Sequence, residues 1–410
     1  MGWVNFVRLA GRRLPLEALR SDPSRFSGVF SAARNADGFG QCLCRGGEDP
    51  LRLVIKCSAA GRFHLAGWPL EGPLHDGRCA FHHVDPSLSG LAKYTSAAIR
   101  QGSSGDVAIR VSQPLVCKLG APEQPEPKSS ASESGVVRRS VGLTGLLHFA
   151  WDSAGLNVWR ARQRRRGWAQ ASAALREQTD RWVVSRRAGS EVVFVVPPFR
   201  REDANATAAA FEAWSAGLTS DKTQVRRGLI VGEVKADEAT EFGFRYQLAH
   251  LGRRHVIYVD EKLDARWRRS FRTVFAAAGE LAGGRRVGLF MVERTPRGYL
   301  RAVGGALMLV NDVYVPADSS HEVRMADALI AAGRSFVKPL RYDVEDGVFP
   351  DFALVDEDAV VEVWGMENDP AYLARKAEKL REYARRGTRV YSHSAGDPLP
   401  DVRLVQAPVA

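Results

Sequence analysis

A chain of 410 residues with 45% hydrophobic composition is long enough for about two to four packed domains and too apolar to be disordered. Its apolar runs fall far short of the ~20 residues of a membrane-spanning helix, and Arg8, Arg12, Arg13 and Glu17 break up the first segment, so neither a membrane partner nor a secretory signal is expected. Without such a signal a cytoplasmic setting is expected; the net charge of +11 keeps nucleic acid open as a partner, and five cysteines, an odd number in a reducing compartment, argue against a disulfide framework.

Over residues 1–120, short apolar runs such as 51–55 and 107–111 are punctuated by Gly, Pro and Asp, the pattern of a small β-rich module. Cys42-Leu-Cys44 and, thirty-odd residues on, His75-Asp-Gly-Arg-Cys79 supply two close pairs of the ligands that tetrahedral zinc prefers. Cys57, His64, His82 and His83 are alternative members of that set. Four protein ligands would leave no open position for water, so the expected role is structural rather than catalytic.

Residues 121–140, APEQPEPKSSASESGVVRRS, have linker composition. A mixed α/β middle domain is expected over 141–318, with helices at 142–160 and 169–182 and then strand-like runs at 192–196, 228–234, 255–259, 286–292 and 305–310. Its basic run contains Arg162, Arg164, Arg165 and Arg166, followed by Trp168. These are candidate phosphate contacts, against the plainer reading of a solvated face with Trp151, Trp159 and Trp168 packed inward. Glu233 and Lys235, two apart in a strand-like run, offer a second-ranked acid and base pair on one face.

The last segment, 319–410, is acidic: residues 321–410 hold 12 Lys plus Arg against 16 Asp plus Glu, a charge of −4, which leaves +15 on residues 1–320. A helix is expected over 321–332 with Gly333 as its stop, then strands at 336–341, 351–355 and 359–364 in an antiparallel meander. A second helix follows at 371–386, introduced by Pro370 and ended by Gly387, and a strand at 388–392.

This αβββαβ order, with Pro350-Asp351 and Glu362-Val363-Trp364, resembles the restriction-endonuclease-like core of the PD-(D/E)xK nuclease superfamily over the last 90 or so residues. The resemblance implies that Asp351 and Glu362 hold catalytic Mg²⁺ or Mn²⁺, with Glu322 as a helper. Trp364 stands where the pattern has its lysine. Members of the superfamily relocate that lysine to the following helix, where Lys376 and Lys379 lie, the latter one turn from Tyr383.

The blocks CLC, HLAGWP, HDGRC, LLHFAW, GEVK, PDF and VEVWG also resemble an uncharacterised bacterial protein family associated with conjugative plasmids and integrative elements. That likeness implies a mobile-element setting and a DNA-related role. The resulting expectation is an α+β and α/β multidomain protein that acts as a metal-dependent DNA endonuclease or nickase, with RNA left open as a substrate. Its rivals are a noncatalytic DNA-binding or assembly protein with a degenerate nuclease-like domain, and an accessory that binds only protein.

Overall fold

The computed structural model of the chain describes residues 5–46, 49–57, 61, 63–68, 71–76, 79–82, 98–101, 106–118, 140–218, 223–342, 349–365 and 370–403. The expected linker lies outside these residues apart from Ser140, as does His83. The chain divides into two compact units, 1–88 with 101–107 and 89–100 with 108–410.

In the first unit, strands Phe6–Leu9, Arg12–Pro15, Phe39–Cys42, Leu51–Cys57 and Phe63–Gly67 form one antiparallel sheet. The first two are joined by Ala10 and Gly11, both at positive φ (46° and 74°), as a two-residue hairpin loop that follows the strand twist requires. Strict alternation in Leu51–Cys57 buries Leu51, Leu53 and Ile55 and turns Arg52 outward. Helices Leu16–Ser21 and Ser27–Ala36 add Leu16, Leu19, Phe30 and Ala33 to the same core. The module is thus sheet-based, as its punctuated runs imply, with two helices that the punctuation does not signal.

The second unit is built on a large sheet whose spine is Gln224–Thr240, paired antiparallel with Arg285–Arg294, which pairs in turn with Leu300–Val310. The five strand-like runs expected between 192 and 310 all fall in this sheet, each within or overlapping an observed strand, with Val193–Val195 and Val256–Val259 among them. Gly305 lets Trp267 lie against bare backbone: a Cβ there would sit 2.6 Å from the indole. The helix expected over 142–160 stops at Ser153, because Gly155 (φ 65°) turns the chain into a two-residue strand, Val158–Trp159.

Those two residues join a second sheet, in spatial order Arg389–Ser394, Ala359–Trp364, Phe352–Leu354, Phe336–Val337 and Val158–Trp159. The three central strands run antiparallel and the outer Arg389–Ser394 runs parallel to Ala359–Trp364. Helix Ser320–Ala331 starts on Ser319, whose hydroxyl accepts from the Glu322 N–H at 3.2 Å. It drives Met325, Ala326 and Leu329 into a core with Phe336, Phe352 and Val361. Helix Pro370–Arg386 precedes the outer strand.

Two expected boundaries fall inside this unit. Residues 108–118 belong to it, with Val116–Lys118 pairing onto the start of Gln224–Thr240. The division at 318 is bridged by the pairing of Val158–Trp159 with Phe336–Val337, and by the Asn157 side-chain amide, which donates to the Lys338 carbonyl at 3.2 Å. Among the described residues no helix is long and apolar enough to cross a membrane.

Candidate functional site

Cys42 ends a strand, Cys44 follows in the next turn, and His75 and Cys79 lie beside them. Their ligand atoms all lie within 4.8 Å of one another. Cys42 Sγ is 3.5 Å from Cys79 Sγ, too far for a disulfide, and His75 Nδ1 is 3.4 Å from Cys44 Sγ and 3.5 Å from Cys79 Sγ. Tetrahedral zinc with ordinary bond lengths spaces its sulfur and nitrogen ligands by about 3.5–3.8 Å, close to these three separations. Three N–H groups point at sulfur: Asn5 Nδ2 at 3.2 Å and the Phe81 amide at 3.4 Å to Cys79, and the Asp76 amide at 3.4 Å to Cys44. Such donors favour thiolate over thiol, the form that binds metal. The cluster can hold a metal ion, and its ligands are the four read from the sequence.

In the second sheet the register Phe352↔Val361 sets Asp351, one residue upstream, opposite Glu362. Both are buried, at 5% and 0% exposure. Glu362 accepts from Lys379 Nζ and from the Tyr383 hydroxyl, each at 2.6 Å, so helix Pro370–Arg386 brings both groups to the strand. Asp351 accepts from the Val363 amide at 2.7 Å, and Arg341 lies 3.9 Å from its other oxygen. Burial, and then the facing Asp351, push the Glu362 carboxyl up to about 7.

Glu322 reaches the same neighbourhood from helix Ser320–Ala331. It accepts from Lys338 Nζ at 2.6 Å and from the Asp318 amide at 2.9 Å. Burial, with Asp318 and Asp351 adding to it, raises its carboxyl to about 7 despite Lys338. Lys338 is 2% exposed. Burial opposes its charge, but Asp318, Glu322 and Asp351 outweigh that and hold the ammonium above its usual range. Lys338 is not among the residues expected from sequence, since a lone lysine in a strand carries no local signal that it turns inward. Among the described residues the only group of three or more His, Cys, Asp or Glu donors spaced for a metal is the cysteine and histidine cluster, so Asp351, Glu362 and Glu322 do not close into one.

Trp364 sits beside this pair with Lys376 Nζ 4.9 Å and Lys379 Nζ 5.7 Å from its ring centre, while its indole N–H donates to Ser392 Oγ at 2.6 Å. Lys376 and Lys379 therefore both lie over the Trp364 ring.

The basic run divides. Arg162 and Arg164 are exposed, whereas Arg165 pairs with Asp312. Arg166 points inward and donates to the carbonyls of Val313, Gly155, Val158 and Leu156 at 2.7–3.3 Å. Glu233 accepts from Arg285 at 3.1 Å and from the Tyr314 hydroxyl at 2.6 Å. A bulge between Val234 and Ala236 makes Lys235 the extra residue, so the alternation that would pair it with Glu233 fails.

No curated protein and no solved structure matches the chain. The model of one family matches residues 14–391, which include three whole strands of the first sheet, the large sheet and the carboxylate pair. On that extent, the chain belongs to the family described as "Protein of unknown function (DUF1173)".

Proposed function

We propose that the chain is a metal-dependent nuclease acting on DNA, with Asp351 and Glu362 as its cation-binding pair. The observation that carries this reading is the placement of two buried carboxylates directly across adjacent strands, where like charges repel unless a cation or a proton lies between them. A divalent cation held there would supply Lewis-acid charge to a phosphodiester and make water easier to deprotonate. Two carboxylates with the rest of the shell as solvent is a normal complement for Mg²⁺.

The chain's own groups fit supporting roles. Lys379 and Tyr383 each bond one Glu362 oxygen and so fix the direction of that carboxylate, and the Val363 amide orients Asp351 through one of its oxygens. Lys338 anchors Glu322 behind the pair. Lys376 and Lys379, stacked over Trp364, add positive charge beside the site, where negative charge develops on a phosphate in the transition state. The +15 on residues 1–320, with Arg162 and Arg164 exposed, supplies sequence-independent attraction to a phosphate backbone. The Cys42, Cys44, His75 and Cys79 cluster completes the reading as a structural zinc site.

One observation favours a noncatalytic DNA-binding protein instead: three of the four oxygens of the pair already accept hydrogen bonds from within the chain. The decisive measurement is cleavage of supercoiled, linear and single-stranded DNA with Mg²⁺ or Mn²⁺ by the wild type, Asp351→Asn and Glu362→Gln. Cleavage lost in both variants supports the nuclease. Salt-sensitive binding without turnover in the wild type supports the second reading.

A further inference from the structure

On the large sheet, away from the carboxylate pair, strand registers line up Arg245 with Tyr258, Tyr258 with Arg301, and Arg301 with Glu293. Residues paired this way share one face of the sheet. Tyr299 lies on the same face, because Leu300 pairs with Ile257 and side chains alternate along both strands. Its ring meets that of Tyr258 edge-on, with centres 5.5 Å apart and planes at 70°.

Here the polar side of the sheet is open. Tyr258 is 37% and Tyr299 53% exposed, and the Arg245 and Arg301 side chains are 47% and 55% exposed. Arg301 leans on Glu293 at 2.5 Å, but that carboxylate is shared with Arg227 at 3.3 Å, and Arg245 pairs with Glu238. Three further exposed cations, Arg253, Arg254 and Arg297, lie in sequence just before the two parallel strands Val256–Val259 and Leu300–Val310. Among the residues that the registers place on this face, Arg227, Arg245 and Arg301 stand against Glu238 and Glu293, a net positive charge.

We infer that this row is a binding platform for single-stranded nucleic acid: Tyr258 and Tyr299 stack on bases, and Arg245 and Arg301 flank them as phosphate partners. Duplex hides its base faces, so a platform of exposed rings selects single strands, while the guanidiniums follow the backbone without reading sequence. A protein partner would use the rings without needing the arginines on both sides. The inference concerns binding, at a place separate from Asp351 and Glu362, and therefore stands or falls independently of cleavage.

The test is fluorescence anisotropy of labelled dT15, rU15 and a 15-base-pair duplex with the full chain and no added divalent ion. Variants are Tyr258→Ala, Tyr299→Ala, their Phe counterparts, and Arg245→Gln with Arg301→Gln. Each Tyr→Ala should weaken binding of dT15 or rU15 about tenfold, with Phe restoring it, since stacking needs the ring and not the hydroxyl. The double arginine variant should lower the slope of log affinity against log salt by about 1.4, at roughly 0.7 for each phosphate no longer neutralised. Whether dT15 or rU15 binds more tightly identifies the natural strand. The inference is overturned if the wild type binds neither strand, if the Ala variants bind as the wild type does, or if the duplex binds as tightly as the single strands.

Discussion

Glu362 shows at the level of one residue how burial couples to proton uptake. Its carboxyl is pushed up to about 7 in the folded chain, against about 4.3 when unfolded. Between those values the native state holds a proton that the unfolded state has released, so stability falls as pH rises through that window and is lowest above it. Glu362→Gln removes this dependence. Without added divalent ions, the stability of the variant relative to wild type should rise between pH 5 and pH 8, by up to about 3 kcal/mol. Urea denaturation at four pH values checks it, and a constant difference across them would mean that the carboxyl is not perturbed. Glu322, raised in the same direction, is common to both proteins and cancels in the comparison.

At the scale of elements, Arg166 shows where a basic motif misleads. Its guanidinium ties the turn after helix Leu143–Ser153 to the chain at Val313 through four carbonyls. A lysine offers a point charge rather than a planar fork. Arg166→Lys should therefore cost about 2–4 kcal/mol in stability, while Arg162→Gln and Arg164→Gln leave the melting temperature within about 1 °C. A melting temperature for Arg166→Lys equal to wild type would return that residue to the surface. The cysteine and histidine cluster gives a second element-scale prediction. If zinc joins strand Phe39–Cys42 to the loop carrying His75 and Cys79, purified protein should contain one zinc per chain by mass spectrometry. Cys42→Ser and Cys79→Ser should each lower that ratio, and chelation should raise amide hydrogen exchange across 39–57. Full protection after chelation would show that the sheet stands without metal.

Elements whose signal is local are legible in the sequence. The helix read at 321–332 is found at Ser320–Ala331, the one at 371–386 at Pro370–Arg386, and the final strand at Arg389–Ser394, because apolar spacing, Ser319, Pro370 and two stop glycines act within a few residues. The four cysteine and histidine ligands are legible for the same reason. Lys338 and the inward turn of Arg166 are not, since each is set by how the chain folds back on it: Lys338 by Asp318 and Glu322, Arg166 by Val313 and by the carbonyls of Gly155, Leu156 and Val158.

At the scale of the whole molecule, the same limit governs where the chain can be cut. A composition shift suggests that residues 319–410 form a domain, yet their sheet takes its outermost strand from Val158–Trp159. Tyr342 is held from the same side: its amide donates to His148 at 2.9 Å and its hydroxyl to Asp152 at 3.1 Å. Asn157 adds a bond to the Lys338 carbonyl at 3.2 Å, next to the buried cation that anchors Glu322. A fragment of residues 319–410 would expose the edge of Phe336–Val337 and be without these partners. It should show little cooperative unfolding by circular dichroism, and its carboxylate pair should lose its rigid frame. A fragment of 108–410, which keeps Val116–Lys118 with the strand it pairs, should unfold cooperatively near the temperature of the same unit in the full chain. Equal cooperativity in the two fragments would show that the borrowed strand and the Tyr342 hydrogen bonds add nothing to the sheet that carries Asp351 and Glu362.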